Sequence, residues 1–153
     1  MRFVFAVISL GTFILVGLVS LPASAEEKVY PVTAVKTSPT GLRYVDENIG
    51  SGAMAKKGLK VSVHYTGWLQ TSRGKRGKKF DSSLGNKHPI KFSLGAGTVI
   101  KGWEEGIEGM KTGGKRVLFV PSGLAYGSLG VAPSIPSNAD LIFEVELVKV
   151  EPR

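Results

Sequence analysis

Glycine and proline constrain the fold of this chain more than any other feature. The chain has 153 residues, of which 20 are glycine and eight are proline. Glycine weakens helices through its conformational freedom, and proline fixes φ and lacks a backbone N–H. Both are frequent in turns, and here they divide the chain into short segments. The sequence therefore predicts short strands joined by turns rather than long helices.

Alternation of apolar and polar residues marks the strands. It is clearest over residues 60–69, where Val61 and Val63 fall on one face and His64 and Thr66 on the other. A period of two is the signature of a strand with one buried face. Further strands are predicted at residues 42–45, 78–81, 90–94, 115–121 and 141–150.

One short helix is predicted. Val99, Trp103 and Ile107 are spaced four residues apart and form one apolar stripe. Glycines at 102, 106 and 109 weaken this helix, each by roughly 1 kcal/mol relative to alanine. Tertiary packing must therefore hold it in place. Many strands and one helix predict an α+β domain, with an antiparallel sheet covered on one face.

The N-terminal residues have the pattern of a signal peptide. Arg2 precedes the apolar run Phe3–Leu21, and residues 23–25 form an A-x-A cleavage site. We expect cleavage after Ala25 and no stable membrane insertion afterwards. The alternative is an uncleaved membrane anchor, because about 20 apolar residues can span a bilayer. The pattern predicts export, to a periplasm in the first place and otherwise to an organelle lumen.

The remaining chain divides at residue 40. Residues 26–40 mix charged residues with Pro31 and Pro39, and predict a flexible lead-in with an edge strand at Val29–Val35. Residues 41–153 form the predicted domain. The chain has no cysteine, so this domain must be stable without disulfides or thiolate-bound metal.

Basic residues are in excess, and many lie in one tract. The formal net charge is +8, and residues 70–79 contain five lysines and arginines. This tract is interpreted as a solvated loop insertion; the alternative is a contact for acidic partners. Because no aromatic residue is interleaved with it and the chain is predicted to be exported, we expect no nucleic-acid partner.

The motifs of nucleophilic, phosphate-binding and metal-dependent enzymes are missing. His64 and His88 lack partners at metal-ligand spacing, so we expect neither a metal nor a cofactor. What remains is a set of aromatic and apolar residues near strand and loop ends. Phe92, in the middle of a strand, is predicted to be core. Tyr126, within a loop rich in glycine and proline, is predicted to bind a ligand.

Six segments of the chain resemble the signature segments of the FKBP-type prolyl isomerases, in the order found in that family. They are Val63–Gly67 (VHYTG), Lys79–Ser83 (KFDSS), Phe92–Gly95 (FSLG), Val99–Gly106 (VIKGWEEG), Ala125–Gly127 (AYG) and Leu141–Leu147 (LIFEVEL). The resemblance extends over about residues 41–150. The resemblance implies a five- to six-stranded antiparallel sheet wrapped around one short helix, with a ligand pocket between them.

The resemblance also implies roles for individual residues. Trp103 would form the floor of the pocket. The Tyr126 hydroxyl and the Ile100 N–H would bind ligand carbonyls, and Asp81 would hydrogen-bond near Tyr65 or cap the following turn. The catalytic set implied is Tyr65, Phe80, Asp81, Ile100, Trp103, Tyr126 and Phe143. The further substrate-binding residues implied are Ile90, Thr98, Val99 and Ile135.

Three residues depart from the family pattern. Ile90 stands where an aromatic wall residue is common, Asn86 where a basic residue is common, and Ser134 where an apolar residue is common. A more open rim is therefore expected.

The resemblance implies peptidyl-prolyl cis-trans isomerisation of proline-containing polypeptide clients, and macrolides are further ligands of some family members. Residues 26–40 are too short and too interrupted by proline to form a dimerisation helix ahead of the domain, so a monomer is predicted. The alternative is a proline-peptide-binding chaperone module with little turnover.

Overall fold

The computed structural model describes residues 28–72 and 74–152. They contain seven strands and one α-helix. The strands are β1 (Lys36–Thr37), β2 (Arg43–Asn48), β3 (Lys60–Gln70), β4 (Arg76–Ser82), β5 (Ile90–Ser93), β6 (Lys115–Val120) and β7 (Leu141–Glu151), and the helix is α1 (Lys101–Ile107). Short 3₁₀ helices lie at Val32–Ala34, Leu84–Asn86 and Ser122–Leu124. The predicted signal peptide, residues 1–25, lies outside the described residues.

All strands belong to one antiparallel sheet in the order β1-β2-β6-β7-β3-β4. Strand β3 pairs with β7 along its whole length on one side. On its other side it pairs with β5 over residues 60–63 and with β4 from Thr66 to Gln70. The predicted α+β architecture is confirmed, with a seventh strand contributed by the two residues of β1.

Helix α1 packs unusually close to one face of the sheet. A Cβ atom on Gly102 would come within 2.4 Å of Val120, and one on Gly106 within 2.7 Å of Leu118. Larger side chains would push the helix away from β6. The glycines that weaken the helix thus allow the contact that buries Trp103 and Ile107.

The core lies between α1 and the sheet. From β7 it receives Leu141, Phe143, Val145 and Leu147, which alternate along the strand as predicted. Phe92 is core, which confirms that prediction. Burying each such side chain fully contributes roughly 1.5–3 kcal/mol, and this offsets the cost of the helix glycines.

The opposite face of the sheet also buries apolar side chains. Val45, Val117 and Ile142 have at most 4% of their surface exposed, yet they lie outside the core under α1. The chain before β1 lies against this face, where the Tyr30 ring packs edge-on against Phe119 with centroids 6.3 Å apart. The sheet therefore has apolar contacts on both faces.

Two sequence predictions of local structure are wrong. Residues 29–35 contain a 3₁₀ helix at Val32–Ala34 rather than an edge strand, since Pro31 leads directly into the helix and cannot donate to a strand ladder. Half of the basic tract at 70–79 is strand rather than loop. The turn is confined to residues 71–75, and residues 76–79 belong to β4. Arg73 lies outside the described residues.

In residues 28–72 and 74–152, no helix is long and apolar enough to cross a membrane.

Candidate active site

A cavity of about 390 Å³ opens between α1, the ends of β3, β4 and β7, and the loops around them. It is lined by Tyr65, Phe80, Asp81, Ile90, Gly97, Thr98, Val99, Ile100, Trp103, Tyr126 and Phe143. Cavities of roughly 300–1,000 Å³ with mostly apolar walls are typical of small-ligand sites. Ten of the eleven residues singled out from the sequence lie in this lining.

The eleventh residue, Ile135, does not line the cavity. It is 6% exposed, belongs to the core and pairs with Val131 in an isolated β-bridge. The loop folds back on itself at this point and directs Ile135 inward. Gly97, which the sequence interpretation did not select, lines the cavity instead.

Trp103 lies at the centre of an aromatic cluster. Its ring meets Tyr65 with centroids 4.9 Å apart and Phe143 at 5.3 Å, both in edge-to-face geometry. Its side chain is almost fully buried, and its Nε1 is a buried donor with no hydrogen-bond partner among the described residues. Edge-to-face rings of this kind fix one another's orientation. The floor of the cavity is therefore rigid and apolar.

Gly67 on β3 is required for the aromatic wall. A Cβ atom at this position would come within 2.6 Å of the Phe80 ring and 2.9 Å of the Phe143 ring. The two rings meet at 90°, with centroids 5.6 Å apart. The glycine of the VHYTG segment thus leaves room for two of the wall residues.

Asp81 uses both of its carboxylate oxygens. One accepts a hydrogen bond of 2.5 Å from the Tyr65 hydroxyl, and the other accepts one of 2.8 Å from the Ser82 N–H. The two roles considered for Asp81, at the rim and in the local turn, coexist in the structure. Burial, followed by the hydrogen bond and the charge of Asp81, raises the pKa of the Tyr65 hydroxyl. Tyr65 therefore stays protonated and remains a donor to Asp81 at neutral pH.

The cavity lining includes donors at its edge that have no protein partner, besides the Trp103 Nε1 at its floor. Among the described residues, neither the Ile100 backbone N–H nor the Tyr126 hydroxyl donates a hydrogen bond. Burial and the negative charge of Asp81 raise the pKa of Tyr126, which keeps its hydroxyl protonated. Polar groups at a cavity usually find partners, so free donors there can meet ligand carbonyls.

Glu104 is a residue that the sequence interpretation missed. It lies on the first turn of α1, and its carboxylate accepts hydrogen bonds from the backbone N–H groups of Gly95 and Gly97, the latter at 2.9 Å. Both glycines have positive φ, where they form the tight turns that precede the cavity wall. An acidic residue seven positions after a G-x-G turn was the available signal.

The positions that depart from the family pattern differ in their placement. Ile90 lines the cavity, whereas Asn86 and Ser134 are exposed and lie outside its lining. Within residues 28–72 and 74–152, no group of three histidines, cysteines or acidic residues is arranged to hold a metal ion.

Comparison with known proteins identifies a family. The model of the FKBP-type peptidyl-prolyl cis-trans isomerase family matches residues 52–148. An FK506-binding protein of Neisseria meningitidis serogroup B is 53% identical over 110 residues, which cover 72% of this chain and 96% of that protein. The peptidyl-prolyl cis-trans isomerase FKBP2 of Mus musculus is 50% identical over 99 residues, covering 65% of this chain and 67% of that protein.

Solved structures agree with the sequence comparisons. FkpA from Escherichia coli superposes with a TM-score of 0.69 at 44% identity, covering 78% of this chain. The match spans 52% of the FkpA chain, about half its length. AtFKBP13 superposes with a TM-score of 0.68 at 38% identity, covering 76% of this chain and 98% of that one.

Proposed function

The chain belongs to the FKBP-type peptidyl-prolyl cis-trans isomerases, and we propose that the cavity floored by Trp103 is its isomerase site. The observation that carries this proposal is the combination of an aromatic, largely apolar cavity with two free donors, the Ile100 N–H and the Tyr126 hydroxyl. The substrate is an X-Pro bond in a polypeptide.

The apolar walls of the cavity lower the barrier to rotation about the X-Pro bond. Rotation about an X-Pro bond is opposed by roughly 18–20 kcal/mol, because resonance stiffens the C–N bond. Twisting this bond breaks the resonance and reduces the charge separation of the amide. Walls such as Trp103, Phe80 and Phe143 therefore disfavour the planar, polar amide relative to the twisted one. Each 1.36 kcal/mol by which the cavity favours the twisted amide over the planar one accelerates rotation about tenfold.

The free donors would position the substrate. The Ile100 N–H and the Tyr126 hydroxyl would each bind a substrate carbonyl, holding one side of the amide while the other rotates. A fixed donor costs no reorganisation when the carbonyl reaches its twisted position. Tyr65, held by Asp81, would form one side of the cavity. No proton is transferred, so Asp81 has no role as a general base.

The test is a prolyl-isomerisation assay on a proline-containing peptide. We expect Trp103→Phe and Tyr126→Phe each to lower kcat/KM, and the double variant to lower it further. Tyr44→Phe is the matched control, because Tyr44 lies outside the cavity lining. Activity in the double variant equal to that of the original chain would refute the assignment of the site. Circular dichroism on each variant separates a lost site from a lost fold.

Substrate preference is tested with peptides that vary at the residue before proline. Ile90 lines the cavity where an aromatic residue is common in the family, so the wall is expected to accept bulky residues at that position. Macrolide binding belongs to the same proposal, since relatives are named for binding FK506. A macrolide that binds at the cavity should inhibit isomerisation competitively.

A second reading of the same cavity is peptide binding with little turnover. Leu129 and Val131, on the loop that carries Tyr126, are 92% and 44% exposed. Exposed apolar side chains can hold an unfolded chain. Peptide affinity measured beside the isomerisation rate distinguishes the two, because tight binding with negligible turnover supports the chaperone reading alone.

Export of the chain is also a proposal. It rests on the apolar run Phe3–Leu21 and the A-x-A site that follows. The periplasmic fraction should contain a chain that begins at Glu26, as read by N-terminal mass spectrometry. A chain that keeps its N-terminus in the membrane fraction would support anchoring instead.

The protein is proposed to be a monomer. Light scattering should give the mass of one chain, and twice that mass would contradict the proposed monomer.

A further inference from the structure

The loop that carries Tyr126 is long and mostly exposed. It joins β6 to β7 through residues 121–140, and Tyr126 itself is 39% exposed. Within the described part of the chain, its hydroxyl donates no hydrogen bond. Partial burial and the absence of a bond of its own leave the position of this hydroxyl to the backbone that carries it.

The backbone around Tyr126 folds into a compact arm, residues 121–127. The N–H groups of Ala125 and Gly127 both donate to the Ser122 carbonyl, at 3.0 and 2.9 Å. These bonds fix Tyr126 relative to Ser122, but they do not fix the arm relative to the cavity. That position is set by the contacts of the arm with the rest of the chain.

Asp140 makes the one side-chain hydrogen bond to this arm among the described residues. Its Oδ1 accepts the Ser122 N–H at 2.8 Å. This N–H begins a 3₁₀ helix and has no partner within it, so the carboxylate satisfies an otherwise free donor. A backbone link follows, from the Asn138 N–H to the Gly127 carbonyl at 2.8 Å. The arm is thus tied near both of its ends, with Tyr126 between the ties.

Asp140 is itself fixed by the sheet. Its carbonyl accepts the Gln70 N–H, at the end of β3, at 2.8 Å. The next residue, Leu141, is fully buried and pairs with Leu69 on β3 and with Val120 on β6. The carboxylate therefore holds the arm at a place that strands β3, β6 and β7 determine together.

We propose that Asp140 is a positioning residue of the isomerase site, which holds the Tyr126 hydroxyl where it meets a substrate carbonyl. Asp140 does not line the cavity, so it acts through Tyr126. It lies one residue before the segment Leu141–Leu147, and the family resemblance therefore assigned it no role. The inference rests on the proposed function of Tyr126 as a donor to the substrate.

The test compares variants of the full chain in the prolyl-isomerisation assay. Asp140→Ala removes the acceptor, and kcat/KM should fall about two- to fivefold, because one exposed, charge-assisted hydrogen bond is lost. Asp140→Asn keeps an oxygen acceptor and should recover most of this loss. Glu146→Ala is the matched control, since Glu146 is also exposed on β7 and lies outside the cavity lining. Its kcat/KM should equal that of the original chain.

A double-mutant cycle with Tyr126→Phe separates positioning from a general loss of stability. Asp140→Ala should lower kcat/KM no further once the Tyr126 hydroxyl is absent, because the two residues act through the same interaction. A merely structural role would give the same fold loss in both backgrounds. Hydrogen exchange at the Ser122 amide should accelerate in Asp140→Ala and stay unchanged in Glu146→Ala. Asp140 is exposed, so its truncation leaves the core intact, and circular dichroism checks the fold of each variant.

The role of Asp140 is refuted, with the isomerase site intact, if Tyr126→Phe is impaired but Asp140→Ala is as active as Glu146→Ala. Equal losses in Asp140→Ala and Asp140→Asn would also refute it, because the acceptor would then not be what holds the arm. So would an equal fold loss with and without the Tyr126 hydroxyl. Failure of the proposed function has a different signature, in which Tyr126→Phe itself is as active as the original chain.

Discussion

Glu104 offers a test of how the cavity wall is held. Its carboxylate joins the first turn of α1 to the loop at Gly95 and Gly97, two residues before Val99. Residues 97–100 form one wall of the cavity. Substituting Glu104 with alanine removes both acceptors at once. The wall then loses its tie to the helix while every residue that lines the cavity is retained.

The magnitude follows from the exposure of the two donors. Hydrogen bonds to a charged group contribute about 1.5–3 kcal/mol each when desolvated. Gly95 and Gly97 are exposed, so water replaces the lost acceptor and the net loss falls to about 0.5–1 kcal/mol per bond. The total of about 1–2 kcal/mol corresponds to a factor of roughly 5–30 in the ratio of the ordered to the released wall. We expect kcat/KM to fall by about fivefold, and by no more than about thirtyfold.

Glu105 provides the matched control. It follows Glu104 on the same helix, but its carboxylate accepts hydrogen bonds from Thr40 Oγ1 at 2.8 and 2.7 Å and does not contact the loop. Glu105→Ala should therefore leave kcat/KM unchanged. Glu104→Gln keeps one oxygen acceptor, so its kcat/KM should lie between those of the original chain and Glu104→Ala. Hydrogen exchange at the Gly95 and Gly97 amides should accelerate in Glu104→Ala alone.

Equal kcat/KM values for Glu104→Ala and Glu105→Ala would show that the hydrogen bonds of Glu104 do not hold the cavity wall. Equal exchange rates of the Gly95 and Gly97 amides in the two variants would show the same. Thermal unfolding of both proteins separates a loosened wall from a destabilised helix, because the two residues lie on the same turn and share its interaction with the helix dipole.

Three further results are expected. Because burial and Asp81 raise the pKa of Tyr65, the folded protein loses stability as pH rises above the ordinary tyrosine value of about 10. In Tyr65→Phe, the free energy of unfolding measured by urea titration should decrease less above this pH. Burial alone would raise the pKa of Asp46, but the hydrogen bond and charge of Arg116 lower it. The ionised Asp46 therefore stabilises the fold above about pH 4, and this stabilisation is lost as pH falls further. Asp46→Asn should lower the free energy of unfolding in urea by about 3 kcal/mol at pH 7, since the buried Arg116 loses its partner. The free energy of unfolding of this variant should also decrease less as pH falls below about 4. Gly102→Ala should lower the melting temperature although alanine favours helices, because its Cβ would clash with β6; an unchanged or higher melting temperature would contradict the close packing of α1.

The sheet was largely predictable because its strands alternate between a buried and an exposed face. Strands β3 and β7 follow that alternation over most of their length, and the sequence located both within one or two residues. Strand β4 was predicted only in part. It lies at the sheet edge, where Lys78 and Lys79 are exposed and no apolar period marks its beginning. Charged edge strands protect a sheet from pairing with other chains, and the same charges hide them in a sequence.

The cavity residues were predictable for a different reason. Short segments such as VHYTG and VIKGWEEG each carry one or two wall residues, so recognising the segment was enough to name them. Ile135 was misplaced because the loop folds back at its bridge with Val131 and directs Ile135 into the core, which the segment pattern did not indicate. Glu104 was missed because its bonds join a helix to a preceding loop. Such a contact follows from the fold, and its one local signal was the spacing of an acidic residue seven positions after a G-x-G turn.

Neighbouring residues of β7 face opposite sides of the sheet. Phe143 lies in the wall of the aromatic site, and Ile142 is buried on the other face. A shift of one residue along a strand turns every side chain to the other face. Inserting or deleting one residue in β7 would therefore turn Phe143 out of the aromatic site and its neighbours into it. Residues 71–75, at the turn between β3 and β4, carry no such constraint, so changes of chain length are expected to be tolerated there and excluded from β7.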